Sequence, residues 1–252
     1  MSERKIDLTI EVDAPVEAVW RALTDGEELS RWFAPAARVN PGKGGTVWLS
    51  WGAGVEGEGR IEVWEPNRAL RVSEGASFID YLIEQRGSAV VLRIVHSGFG
   101  EDSSFDDQYE STLGGWSYFM FNLKHYLERH AGQPRHMISV RRKMSNTRED
   151  AWPELLHRLE LKPQTAQPGG NYAMRLGDLY SGKVISIRPA RSFVGTVKEL
   201  NDGLLFIELE AGNKGWHCGV WLSVYGAQPN VEALERELSA VLISSTVPHE
   251  AP

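Results

Sequence analysis

The chain has 252 residues, 42% of them hydrophobic and 24% charged, with a formal net charge of −7. That length holds one large domain or two of ordinary size, and the acidic balance excludes a general nucleic-acid binder, whose affinity comes from Lys and Arg neutralising phosphates. No apolar run is long enough to span a bilayer, Met1 to Lys5 lead into a strand pattern without the apolar stretch of a signal peptide, and Cys218 is the one cysteine, so no intrachain disulfide forms. The expectation is a cytoplasmic globular protein.

In chain order, Ile6-Asp7-Leu8-Thr9-Ile10-Glu11-Val12 alternates as a half-buried strand does. A helix start follows: Asp13 is the expected cap, Pro15 suits the first turn, and Glu17 places negative charge near the N-terminal end. Val16, Val19, Trp20 and Leu23 recur at helical spacing, and Trp32-Phe33 is read into a second short helix. The stretch Asn40-Pro41-Gly42-Lys43-Gly44-Gly45 is rich in turn residues. Strands read at about 46–51, 58–64, 69–74, 78–85 and 89–97. A long helix fits about 107–129, where Leu113, Trp116, Met120, Leu123 and Leu127 step by three or four residues.

Charge and tryptophan set the remainder apart. Residues 1–132 carry 13 Lys and Arg against 21 Asp and Glu, residues 133–252 carry 14 against 13, and Trp20, Trp32, Trp48, Trp51, Trp64 and Trp116 all fall in the first part. The second part nevertheless echoes the first. His136 to Arg141 alternates like the first strand, and Ala151-Trp152-Pro153-Glu154-Leu155 follows Val19-Trp20-Arg21-Ala22-Leu23 at an offset of 132. Gly182-Lys183-Val184 and Arg188-Pro189 follow Gly59-Arg60-Ile61 and Glu65-Pro66 at an offset of 123. Strands at about 193–198, 204–210 and 216–225, with an Asn201-Asp202-Gly203 turn, precede a closing helix at 230–243. The reading is a duplication in which the copy has lost the Trp-Phe segment and much of the first hairpin. Ala131 to Pro134 form a short linker, and Lys162 to Gly170 a loop within the second domain.

Several motifs resolve into plain structure. Gly52-Ala53-Gly54-Val55-Glu56-Gly57 matches the dinucleotide fingerprint, but the chain runs on into a strand where that fingerprint needs a helix N-terminus, so it is a hairpin turn. His125 and His130 lie five apart, off the spacing that puts two ligands on one helix face. No metal site, cofactor or covalent catalyst is expected. His96 shares its alternation with Val90, Leu92 and Ile94 while Arg93 faces out. It is either a polar or acid–base group within the interior, or a structural ring that bonds backbone near Gly98 or stacks on Trp116. Gly98 to Asp107 is an acidic segment, a solvated loop or a gate.

The strand, the Pro-started helix and the Trp-Phe pair together resemble the opening of the SRPBCC (START-like, helix-grip) superfamily. Thr24 to Phe33, Val63 to Leu70, and His96-Ser97-Gly98-Phe99 with Gly115-Trp116 are similar to one branch of it. That branch is named for the C-terminal domain of the activator of the heat-shock-protein-90 ATPase, and the resemblance spans roughly residues 5–130. It implies an α+β fold of tandem helix-grip domains, residues 1–131 and a shortened 135–252, each a curved antiparallel sheet wrapped around a long C-terminal helix. It further implies a cavity in the first domain, for which Trp32, Phe33, Trp48, Trp51, Phe78, Tyr81, Ile94, His96, Trp116, Phe119 and Met120 are the candidate walls. Members of this branch do many things. Three functions follow: holding a small hydrophobic or aromatic molecule, partnering a chaperone, or a cyclase or aromatase chemistry. The last would draw on Asp80, Tyr81, Glu84 and His96, among which no pair has diagnostic spacing.

Overall fold

The computed structural model describes residues 4–52, 54–100, 106–144, 147–161, 167–212, 215–226 and 228–243. Residues 101–105 of the acidic segment Gly98 to Asp107 and residues 162–166 of the loop Lys162 to Gly170 lie outside them, as does Ala53 of the Gly52–Gly57 turn. Two units are formed, Met1–Pro134 and Arg135–Pro252.

In the first unit β1 (Ile6–Val12) leads into α1 (Val16–Thr24) and α2 (Gly26–Ser30). Then come β2 (Ala36–Asn40), β3 (Thr46–Ser50), β4 (Glu56–Glu65), β5 (Ala69–Glu74), β6 (Ser77–Arg86), β7 (Ala89–Ser97) and the long α3 (Asp106–Arg129). The antiparallel sheet has the order β1-β7-β6-β5-β4-β3-β2, with the first strand closing on the last meander strand through pairs from Ile6↔His96 to Val12↔Val90. Alternation decides what is inside. Ile6, Val12, Val90, Leu92 and Ile94 are buried, while Asp7 and Arg93 meet outside in a two-pronged ion pair at 2.6 and 2.7 Å.

Two local expectations are corrected. Asp13 does not cap α1: Pro15 takes the N-cap position without a side-chain bond, and the Asp13 backbone N–H donates instead to Glu128 Oε1 of α3 at 2.8 Å. Trp32-Phe33 lie in the turn after α2, which Asp25 caps by accepting from the Glu28 N–H at 3.0 Å. The helix ends at Ser30, and both aromatic rings are drawn into the interior, Trp32 fully buried and Phe33 6% exposed. Strand β2, five residues on the sheet edge, carried no separate signal.

The second unit runs β8 (Arg135–Lys143), α4 (Arg148–Arg158), β9 (Asn171–Leu176), β10 (Asp178–Arg188), β11 (Ser192–Val197), β12 (Gly203–Gly212), β13 (Gly215–Tyr225) and α5 (Val231–Ile243). Its sheet order, β8-β13-β12-β11-β10-β9, is that of the first unit without the edge strand, and α2 has no counterpart between α4 and β9 among the described residues. The repeat reaches fine detail. The β4–β5 pairing slips between Ile61 and Val63, and the β10–β11 pairing slips between Val184 and Ser186, an offset of 123. A bulge of this kind is a built feature that bends and twists the sheet. Asn67 and Ala190 share that offset and both hold a left-handed φ, 61° and 54°. The Arg68 N–H bonds Glu65 O, and the Arg191 N–H bonds Arg188 O, each at 2.9 Å. Gly44-Gly45 exchange two backbone bonds with Ile61, and Gly169-Gly170 do the same with Val184. Trp20 sits in α1 and Trp152 in α4, each the first helix after the first strand. The chain is a tandem of two helix-grip domains, and among the described residues no helix is long and apolar enough to cross a membrane.

Candidate functional site

A cavity of about 280 Å³ lies in the first unit between the sheet and α3. Each wall shows the periodicity of its element: 47 and 49 on β3, 57 and 59 on β4, 70, 72 and 74 on β5, 77, 79 and 81 on β6, and 112, 115, 116 and 119 on α3. Two glycines make the space. A Cβ on Gly59 would stand 2.5 Å from the Val72 Cγ1, and one on Gly57 would stand 3.0 Å from a Glu74 carboxylate oxygen. On this stretch of β4 the sheet presents backbone to the cavity where a side chain would otherwise fill it.

Aromatic rings form the opposite wall. Phe33 stacks on Trp116 at 5.6 Å between centroids and meets Phe119 edge-on at 4.4 Å and Trp51 at 5.7 Å. Tyr81 faces the Trp116 ring at 6.1 Å. Edge-to-face and offset contacts of this kind hold the rings in place beyond their area burial.

His96 joins helix to sheet. The Trp116 indole Nε1–H donates to His96 Nδ1 at 2.9 Å, and His96 Nε2 lies 2.6 Å from Ser77 Oγ. Because indole only donates, Nδ1 is the acceptor, and the ring's one proton sits on Nε2 and points to Ser77. Burial holds the His96 pKa below its ordinary value, which favours this neutral form. Gly98 lets the arrangement close: at φ +94° its backbone passes where a Cβ would stand 2.2 Å from Ala76 O, beside Ser77. His96 therefore lines the cavity and ties α3 to β6, through side-chain bonds to Trp116 and Ser77 where a backbone bond near Gly98 or stacking on Trp116 was expected; the His96 and Trp116 rings meet edge-on at 6.1 Å.

Of the expected walls, Phe33, Trp51, Tyr81, His96, Trp116 and Phe119 bound the cavity. Trp48 and Phe78 do not, because they have the opposite strand parity: Trp48 carries the Arg38 guanidinium 3.9 Å over its ring, and Phe78 is 38% exposed. Trp32 is spent on the core, its Nε1–H donating to Ala22 O at 2.8 Å while its own carbonyl accepts from Asn122 Nδ2. Ile94 and Met120 are buried in the core without reaching the cavity. Ser77, Glu74, Gly57 and Gly59 were not anticipated. Counting back by twos from Tyr81 reaches Ser77, and a strand with glycine at alternate positions signals missing volume.

The polar inventory is short. Asp80 and Glu84 point away, Asp80 into a two-pronged pair with Arg71 and Glu84 into one with Arg86. The Tyr81 hydroxyl has no hydrogen-bond partner among the described residues, and burial pushes its pKa far up, so it faces the cavity as a neutral phenol. Glu74 is the one formal charge in the lining.

Residues 13–128 match the family model described as activator of Hsp90 ATPase homolog 1-like protein. A search of curated protein sequences finds no match. Among solved structures, the chain is similar to the Aha1 dimer from Colwellia psychrerythraea, at 21% identity over 51% of this chain and 99% of that one, with a TM-score of 0.46. It is similar to CalU16 from Micromonospora echinospora, at 27% identity over 50% and 76% of the two chains and a TM-score of 0.42. DynU16, from the dynemicin biosynthetic locus, is similar along nearly the whole length, covering 96% of this chain and 95% of its own at 19% identity and a TM-score of 0.44. Residues 13–128, a little under half of the chain, are thus similar to the activator of Hsp90 ATPase homolog 1-like family and fall in the first helix-grip unit, to which the chain adds a second unit of the same strand order.

Proposed function

We propose that the protein is a cytoplasmic binding protein that holds a small aromatic molecule in the cavity of its first unit. The observation that carries this reading is a ring-lined space with a small, specific polar set, the form ligand pockets take. Size narrows the class. A dry apolar cavity of about 150 Å³ takes benzene, so 280 Å³ suits a body of about two fused rings. Burying 150–250 Å² of such a ring system contributes roughly 4–6 kcal/mol at ~25 cal/mol per Å². That gross gain is offset by lost translational and rotational freedom, so the few polar contacts decide affinity and choice of ligand.

The lining favours holding over chemistry. Asp80 and Glu84 point away from the cavity into pairs with Arg71 and Arg86, and both ring nitrogens of His96 are taken up by Trp116 and Ser77, which supports holding over proton transfer to a bound molecule. A chaperone partner, the role in the family's name, would call on an outer surface and leave the cavity without a task. Native mass spectrometry of the full chain, followed by identification of co-purifying small molecules, tests the reading. An aromatic molecule bound one to one is expected. A protein with no bound molecule and no saturable uptake of two-ring aromatic probes would overturn it, and stimulation of a chaperone's ATPase by that same protein would establish the other role.

A further inference from the structure

We infer that the ligand is an aromatic amine, with its ring body among Phe33, Trp116 and Phe119 and its ammonium at the cavity mouth, between the Glu74 carboxylate and the Trp51 ring. The inference rests on the cavity being a binding site and concerns the charge of what it takes.

Three observations carry it. The cavity has a mouth at Trp51 and Glu74, the two exposed residues of its lining among the described residues. Both stand at the same end of the sheet: Trp51 follows β3 at the turn into β4, and Glu74 ends β5 with its carboxylate beside Gly57. The lining contains no Lys or Arg, and the Glu74 carboxylate makes no ion pair or hydrogen bond among the described residues, whereas Asp80 on the neighbouring strand is matched to Arg71. An unmatched carboxylate next to aromatic faces repels anions. It attracts cations twice over, by its charge and through the negative faces of the rings. The wider field agrees, since residues 1–132 hold 13 basic against 21 acidic side chains. The depth of the cavity is different: Tyr81 and His96 are neutral there, so a charge has its place only at the mouth.

Calorimetric titration of the full chain with three probes of one shape tests this: 1-naphthylmethylammonium, 1-naphthalenemethanol and 1-naphthoate. The ammonium is expected to bind about ten-fold more tightly than the alcohol, the sum of one exposed cation–π contact and one exposed ion pair, and the carboxylate least tightly. In Glu74→Gln the ratio of ammonium to alcohol affinity is expected to fall from about ten to about three, the share of the Trp51 cation–π contact that remains. Equal affinity of ammonium and alcohol for the wild type, or a ratio that does not fall in Glu74→Gln, overturns the inference and leaves the cavity as a binding site. Failure of all three probes to bind overturns the cavity reading itself.

Discussion

Tyr81, Ile79 and His96 in the first unit occupy the register positions of Ile207, Leu205 and Leu222 in the second. The pairing makes the equivalence: Val72 pairs with Ile79 and Ile79 with His96, as Gly195 pairs with Leu205 and Leu205 with Leu222. Leu70 pairs with Tyr81 as Phe193 pairs with Ile207. The polar positions Tyr81 and His96 are thus aliphatic in the second unit, while Ile79 is aliphatic in both. Small positions are replaced by large ones at the same time: Gly57, Leu70 and Val47 correspond to Tyr180, Phe193 and Tyr172. In the second unit the Tyr172 ring lies against Phe193 at 5.0 Å and covers Gly195, whose Cβ would stand 2.6 Å from it. Tyr172, Tyr180 and Phe193 belong to one continuous apolar cluster with Trp152, Leu205 and Leu222. The comparison teaches that strand order, bulge and turn are indifferent to whether the space under the sheet is open or filled. The fold is carried by the backbone pattern, and the site by a handful of inward positions.

The largest effect is expected from putting the first unit's histidine into the second. Leu222→His removes a buried aliphatic side chain and leaves an imidazole among apolar neighbours, which costs about 3–5 kcal/mol. Urea unfolding followed by circular dichroism should show it, and an unchanged midpoint would mean the second unit has room and partners after all. Next comes the reverse graft. Gly57→Tyr places the second unit's ring in the cavity and should weaken binding of a two-ring aromatic by about a hundred-fold or more, equivalent to ~2.7 kcal/mol. The Glu74 carboxylate is flexible enough to yield, so stability should hold, and retained affinity would show that the ligand lies elsewhere.

Trp116→Phe should act on both properties at once. It keeps most of the ring packing but removes the donor to His96 Nδ1, at ~1 kcal/mol of stability, and ligand affinity should fall several-fold in titration. A variant that folds normally and binds as tightly as wild type would make Trp116 plain core. The smallest effect is on pH dependence. Because the folded-state pKa of His96 is lowered, the folded chain takes up its proton less readily than the unfolded one. The stability it contributes is complete above the ordinary value of 6.5 and is lost as pH falls below it. Between pH 7 and 5.5 the wild type should therefore lose more stability than His96→Leu, the variant that matches Leu222; parallel losses would mean His96 is not shielded.

Much of this architecture was legible in the sequence because it rests on periodicity. The alternation of residues 6–12, the three-and-four spacing from Leu113 to Leu127 and the shared offsets of 132 and 123 each report a backbone state. The site was legible only in part. Trp48 and Phe78 are as aromatic as Trp51 and Tyr81, and composition alone does not tell them apart; only the strand register sends the first pair outward. Glycine at 57 and 59 reads as a turn or a bulge until its neighbours Val72 and Glu74 are seen to close over it. The cap at Asp13 failed for a tertiary reason, since Glu128, over a hundred residues away, takes the backbone N–H that fixes the entry to α1.

The fixed orientation of the His96 ring gives the cavity a hydrogen-bond direction. Trp116 occupies Nδ1 as a donor, and the Nε2 proton is directed at Ser77 Oγ, so the serine accepts from the ring and has its own proton to give. Its nearest backbone acceptor, Ser97 O, is 3.4 Å away, a long bond that a better acceptor can displace. A carbonyl, ether or ring nitrogen on the bound molecule would find that proton offered to it, whereas an N–H in the same place could bond only to the remaining lone pair of Ser77 Oγ and would leave the hydroxyl proton on its long bond to Ser97 O. Two molecules of equal size and charge that differ only in this donor–acceptor exchange would thus be told apart at Ser77 by a group that never changes its own protonation.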